Sequence, residues 1–138
     1  MKSIDTALYS ALSGDTTLAN LVGGTANPRI YNSVAPPDCT LPVVIFHKQG
    51  GGNTHGTPRE EHVVTYAVKA LSGSMLTGLD IAEAVHDVLD DANLNVSDGY
   101  ADYATYEMGH LNFAEALGGG SIMYHVGRLY RIHVEGTA

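Results

Sequence analysis

The chain has 138 residues, 44% hydrophobic and 16% charged, a composition of globular domains that argues against disorder; the length fits one domain, residues 1–138. Seven Lys and Arg against fifteen Asp and Glu give a charge of −8, which excludes the clustered cations a duplex-DNA binder needs. The lone Cys39 excludes an internal disulfide, no run nears the roughly 18 apolar residues of a membrane span, and Met1-Lys2-Ser3-Ile4-Asp5 lacks a signal peptide's apolar core.

Ile4, Leu8, Ala11 and Leu12 recur at helical spacing, with Ser3 placed to cap the start and Gly14 the end. A second short helix follows from Asp15 or Thr16 to Val22 and stops at Gly23-Gly24. Arg29-Ile30-Tyr31 reads as a short strand, and Asn32 to Thr40 as a loop stiffened by Pro36-Pro37. Val43 to Phe46 is apolar at every position, the pattern of a strand covered on both faces. Gln49 to Pro58 holds Gly50, Gly51, Gly52 and Gly56 and reads as a mobile loop.

Glu61 to Leu71 is rich in Val, Thr and Tyr and predicts a strand. A third helix starts near Ser74 or Thr77 and carries Ile81, Ala82, Val85, Val88, Leu89 and Ala92 on one stripe. Its other face carries Asp80, Glu83, Asp87, Asp90 and Asp91. Leu94 to Val96 reads as a brief strand. Tyr103 to Leu117 is ambiguous, with a strand expected near Thr105 to Ala114. After the loop Gly118-Gly119-Gly120-Ser121, the last strand alternates well. Tyr124, Val126, Tyr130, Ile132 and Val134 face one side, with Arg128 the exception; His125, Arg131, His133 and Glu135 face the other.

No catalytic, cofactor or metal residues are expected. His125 and His133 stand eight residues apart on one strand, roughly 26 Å, too far to share an ion. His47 and His62 could meet across paired strands, yet no carboxylate or cysteine stands at ligand spacing. Cys39, between Asp38 and Thr40, has no recognisable base partner. Gly50-Gly51-Gly52-Asn53-Thr54 lacks the Lys-Ser or Lys-Thr ending of a phosphate cradle and leads into a strand. Asp87, Asp90 and Asp91 fit a solvated helix face. Asp90 and Asp91 lie near the helix C-terminus, where the macrodipole disfavours anions, which points to a use elsewhere.

Four segments carry a scaffold pattern in order: Pro28-Arg29-Ile30-Tyr31, Leu41-Pro42-Val43-Val44-Ile45-Phe46, Ile81-Ala82-Glu83-Ala84-Val85, and the final strand from His125 to Glu135. Behind an N-terminal helix, this set resembles the tail-terminator, or tail-completion, proteins of long-tailed bacteriophages. Asn93 to Leu117 matches no part of the pattern. The resemblance implies an α+β fold: an antiparallel or mixed sheet of four to five strands, with N-terminal helices and one longer central helix packed on it. It implies a structural virion protein of the tail–neck junction, assembled in the host cytoplasm, with no enzyme activity. It further implies a hexameric ring that caps the tail tube, ends its polymerisation and offers the surface for head joining. Its partners would be copies of itself, the tail tube protein and a head-completion or connector protein.

Six copies at −8 each would carry about −48, and an acidic lumen lets DNA pass without specific binding. Asp87, Asp90 and Asp91 are candidates for that lumen or for a partner face. Gly51, Asn53, His55 and Arg59 are candidates for the assembly interface, because ordering the glycine-rich segment costs roughly 1–2 kcal/mol per residue and needs a partner to offset it. Two other readings stand beside this one: another neck component of the head-completion type, and a small soluble binding or enzyme domain with a Tyr- and His-rich pocket.

Overall fold

The computed structural model describes the backbone of residues 2–55, 60–92, 94 and 100–136, and side chains within 4–51, 62–92, 94 and 105–135. Helices α1 (Lys2–Ser13) and α2 (Thr16–Leu21) precede strands β1 (Ile30–Asn32), β2 (Val43–His55) and β3 (Glu60–Ser72). Helix α3 (Met75–Leu89) and strands β4 (Tyr100–Ala116) and β5 (Ile122–Gly136) complete the chain. The five strands form one mixed sheet in the order β1-β2-β3-β5-β4, with β1 parallel to β2 and every other pair antiparallel. The architecture is α+β.

Local signals start and stop the helices. The Asp15 carboxylate accepts the Leu18 N–H at 2.9 Å and caps α2. The Ser74 hydroxyl accepts the Thr77 N–H at 3.4 Å and caps α3. All three helices cover one face of the sheet. Ile4, Leu8 and Leu12 of α1, Leu18 of α2, and Ile81, Val85 and Leu89 of α3 are buried there. They pack on Val44, Phe46, Val64, Tyr66, Tyr130 and Ile132. Gly78 lets α3 lie close to β5, since a Cβ there would sit 2.8 Å from the Val126 side chain. Tyr66 donates its hydroxyl to the Asp5 carboxylate. Burial first, then that carboxylate, hold the phenol protonated far above its ordinary range.

The opposite face carries no helix among the described residues. Its smaller cluster joins Val43, Ile45 and Leu71 to Tyr31, Ala35, Cys39 and Met123. Val43 to Phe46 is therefore covered on both sides, as its unbroken apolar run predicts.

The expected loop from Gln49 to Pro58 requires correction. Gly50 through His55 are strand, paired with β3 from Gly50↔Thr65 to His55↔Glu60. The ladder supplies what the glycine side chains cannot. A Cβ at Gly51 would lie 2.8 Å from the Val63 carbonyl, so glycine is also what this close approach requires. Residues 56–59, including Arg59, lie outside the described residues. Of the expected strand Leu94 to Val96, Leu94 is buried and not strand, and the other two positions lie outside the described residues. The register also separates His47, opposite Ala67, from His62, opposite Asn53.

Candidate functional site

The sheet has two edges, and among the described residues each is covered over only part of its length. On one side, β1 pairs only with Val44, Ile45 and Phe46 of β2. The Val44 N–H donates to the Arg29 carbonyl and the Ser33 N–H to the Phe46 carbonyl, both at 2.9 Å. These bonds turn the Val44 and Phe46 backbone groups outward, and alternation does the same for Lys48. A bulge between Lys48 and Gly50 resets the phase, which turns the backbone groups of Gly51, Asn53 and His55 outward. From His47 to His55 no strand of the described residues pairs with that edge.

On the other side, β4 pairs only with β5 among the described residues. The turn after α3 covers β4 at Thr105 and Glu107. The Asp91 N–H donates to the Thr105 carbonyl at 2.8 Å, and the Glu107 N–H points at Asp90 Oδ1 at 3.4 Å. Asp91 reaches this position with a left-handed φ of 57°. Asp90 thus meets the β4 edge through its carboxylate, and Asp91 through its backbone N–H. Asp87 stays exposed on α3. A polar cluster lies behind these contacts: Glu107 is 3.6 Å from His86, 3.3 Å from His110 and 3.5 Å from Arg128. Beyond a second bulge between Glu107 and Gly109, the outward backbone groups belong to His110, Asn112, Ala114 and Ala116. No strand of the described residues pairs with them.

The helix-free face beside this edge is apolar and open. Tyr106, Met108 and Phe113 are 39%, 45% and 45% exposed. Tyr106 stacks on His133 with ring centroids 5.9 Å apart, and Phe113 on His125 at 4.1 Å. Glu115 holds His125 Nε2 at 2.9 Å, and the Lys69 ammonium stands 5.3 Å from the Phe113 ring centre. Burial lowers the Lys69 pKa, with Glu115 opposing. Burial, then the Lys69 charge, lower that of His47.

Sequence reasoning missed Tyr106, Met108 and Phe113. The signal is present but out of phase. Even-numbered positions face this side before the bulge at Met108 and odd-numbered ones after it, so no single period-two pattern spans the strand.

The chemical candidates stay dispersed. No group of three or more His, Cys, Asp or Glu among the described residues is arranged to hold a metal ion. Cys39 lines an apolar cleft of about 410 Å³ with Val34, Leu41 and Met123, and no histidine shares that lining.

A helix-backed sheet with two half-open edges and a bare apolar face is a module suited to being joined to other chains. The sequence profile described as "Tail completion protein gp17" matches residues 6–108. The chain belongs to that family, and so to the structural proteins of phage tails. Among solved structures, a chain from one described as "Virion of native gene transfer agent (GTA) particle" has the same fold. It is 20% identical, with a TM-score of 0.75 over 95% of this chain and 93% of that one. No curated protein matches. The tail-completion resemblance is thus the family found, and the profile spans three of the four scaffold segments, with His125 to Glu135 beyond its end. The profile ends within β4, whereas the structural likeness extends over nearly the whole chain.

Proposed function

We propose that this protein is a single-domain structural component of the virion that closes into a ring at the tail–neck junction. There it caps the tail tube, ends tube polymerisation and presents the surface that joins the head, with six copies in the ring. Family membership carries this reading, and the half-open sheet edges support it because they leave backbone groups available to other chains. The partners are copies of itself, the tube protein and a head-side connector. Gly51, Asn53, His55 and Arg59 belong to the assembly interface. Exposed Asp87 and the overall charge of −8 contribute an acidic wall past which DNA slides unbound. The protein binds and positions; it catalyses no reaction and needs no cofactor.

Native mass measurement of the purified protein, alone and with tail tubes, together with electron microscopy of necks, tests the proposal. Closed rings at tube ends are the expected result. Single, unassociated copies in intact necks would overturn it.

A further inference from the structure

From the positions of the two open half-edges, we infer that neighbouring subunits join by pairing β4 of one with β2 of the next, which extends the sheet between copies. This rests on the ring reading and names the contact that builds the ring. The first observation is a match in extent. The open part of β2 runs from His47 to His55 and presents the backbone groups of Lys48, Gly51, Asn53 and His55. The open part of β4 runs from Met108 to Ala116 and presents those of His110, Asn112, Ala114 and Ala116. The open stretches are equally long and carry matching numbers of outward residues.

Polarity is the second observation. Within one sheet β2 and β5 run one way, β3 and β4 the other. Placed side by side in the same orientation, β4 of one copy and β2 of the next are antiparallel. The pairing is head-to-tail, which repeats around a ring instead of stopping at a dimer.

Stagger is the third. The pairings Gly51↔Val64, Val64↔Ile132 and Ile132↔Thr105 put the middle of the open β2 edge level with Thr105, not with Asn112. Because Thr105 pairs with Ile132 and Asn112 with Val126, joining the edges steps each copy along its neighbour by about six ladder positions, roughly 20 Å, for every four strands, roughly 19 Å wide. That slopes the strands by about 46°, near the 35–45° tilt of sheets that close around an axis. A match without stagger would give no such tilt.

Apolar exposure is the fourth. The β4–β5 turn carries Leu117 and Ile122, 40% and 47% exposed, and the segment after β1 carries Val34 and Leu41, 76% and 37% exposed. With β4 running antiparallel along β2, its end at Ala116 approaches His47, and the turn comes to the outer side of β1. Both apolar pairs are then covered by one contact. Pairing two β4 edges about a two-fold axis would leave the β2 edge and Val34 bare.

The test uses cysteine pairs in a Cys39→Ser background. Lys48→Cys is combined in turn with Asn112→Cys, Ala114→Cys and Ala116→Cys, and the full-length protein is oxidised with and without tail tubes. At least one combination is expected to give a covalent ladder of closed oligomers, whereas Lys48→Cys with Leu76→Cys, on exposed helix, gives none. In parallel, Ala114→Pro removes one outward N–H that the isolated subunit does not use. It is expected to keep the circular dichroism and melting of the subunit while lowering the assembled fraction at least tenfold. Rings that form normally, without a ladder and despite Ala114→Pro, would overturn the edge pairing and leave the ring reading standing. Wild-type protein that never forms rings but crosslinks into open filaments would support the pairing and overturn the ring. A ladder of dimers only, from Ala114→Cys alone, would overturn it in favour of two-fold β4 pairing.

Discussion

Strands β4 and β5 are neighbours of similar length, joined by one short turn, yet they obey different rules. β5 is paired on both sides and packed under α3; Val126, Tyr130, Ile132 and Val134 are all buried. Its period of two is unbroken from end to end, because a slip would push those side chains to the wrong face. Among the described residues, β4 is paired on one side only. It accommodates two bulges, and Met108 and Phe113 lie nearly half exposed on the helix-free face. A strand held from both sides has its register dictated by the core. A strand held from one side has room for irregularity, and here the irregularity accompanies the surface left for other chains.

Glycine substitutions should separate the two strands most. A Cβ at Gly127 in β5 would lie 2.2 Å from the Val68 carbonyl and 2.5 Å from the Lys69 Cα. Gly127→Val should therefore cost about 3 kcal/mol or more, or prevent folding. At Gly109 beside the β4 bulge no atom stands within 4 Å, and Gly109→Val should stay within about 0.5 kcal/mol of wild type. Urea denaturation of both variants reads the contrast, and equal losses would break it.

Truncation of large side chains comes next. Ile132→Ala empties part of the core and should cost about 2–5 kcal/mol. Phe113→Ala removes a half-exposed ring that touches His125 and Lys69, and about 1 kcal/mol is expected. If Phe113 instead anchors assembly, its variant should lose more ring than fold, which sedimentation of the folded protein would detect.

A smaller effect concerns the covered part of the β4 edge. Asp90→Ala removes the acceptor facing the Glu107 N–H and a partially exposed partner of His86, 3.6 Å away. A loss of about 0.5–1 kcal/mol is expected. The variant should also self-associate more readily at high concentration, because more of the edge is bare. Light scattering would check this, and no change would show that Asp91 alone guards the strand.

The smallest effect is pH dependence at His47 on β2. Its pKa is depressed by burial and then by the Lys69 charge, so the folded state resists a proton that the unfolded chain accepts. Below about pH 6.5 the unfolded chain binds more protons at this site, and stability falls as pH falls toward the depressed folded value. Above that pH the site contributes no slope. His47→Gln should therefore lose less melting temperature than wild type between pH 7.5 and 5. Lys69→Met, which removes the second cause, should lie between them.

What the sequence determined by itself are the elements whose neighbours are predictable from one residue pattern. The stripe of Ile81, Val85 and Leu89, the alternation of β5 and the apolar run Val43 to Phe46 each state their own burial, because one side or both must leave water wherever the element sits. Even the awkward placement of Asp90 and Asp91 was legible as a conflict with the helix dipole. The contact of the Asp90 carboxylate with the Glu107 N–H was not, since β4 begins some ten residues later and meets Asp90 only through the fold. The β2 extension was hidden for a related reason: glycines report no preference for a strand, and only the β3 ladder makes one of Gly50, Gly51 and Gly52. Gly51, Asn53 and His55 were read as candidates from the entropy of a loop, a premise that the strand pairing of Gly50 to His55 removes; their outward backbone groups follow from a bulge and a register that only strand pairing defines. Tyr106, Met108 and Phe113 depended on tertiary structure altogether. A bulge shifts the phase of the pattern, and which face then stays bare is decided by where α1, α2 and α3 come to rest.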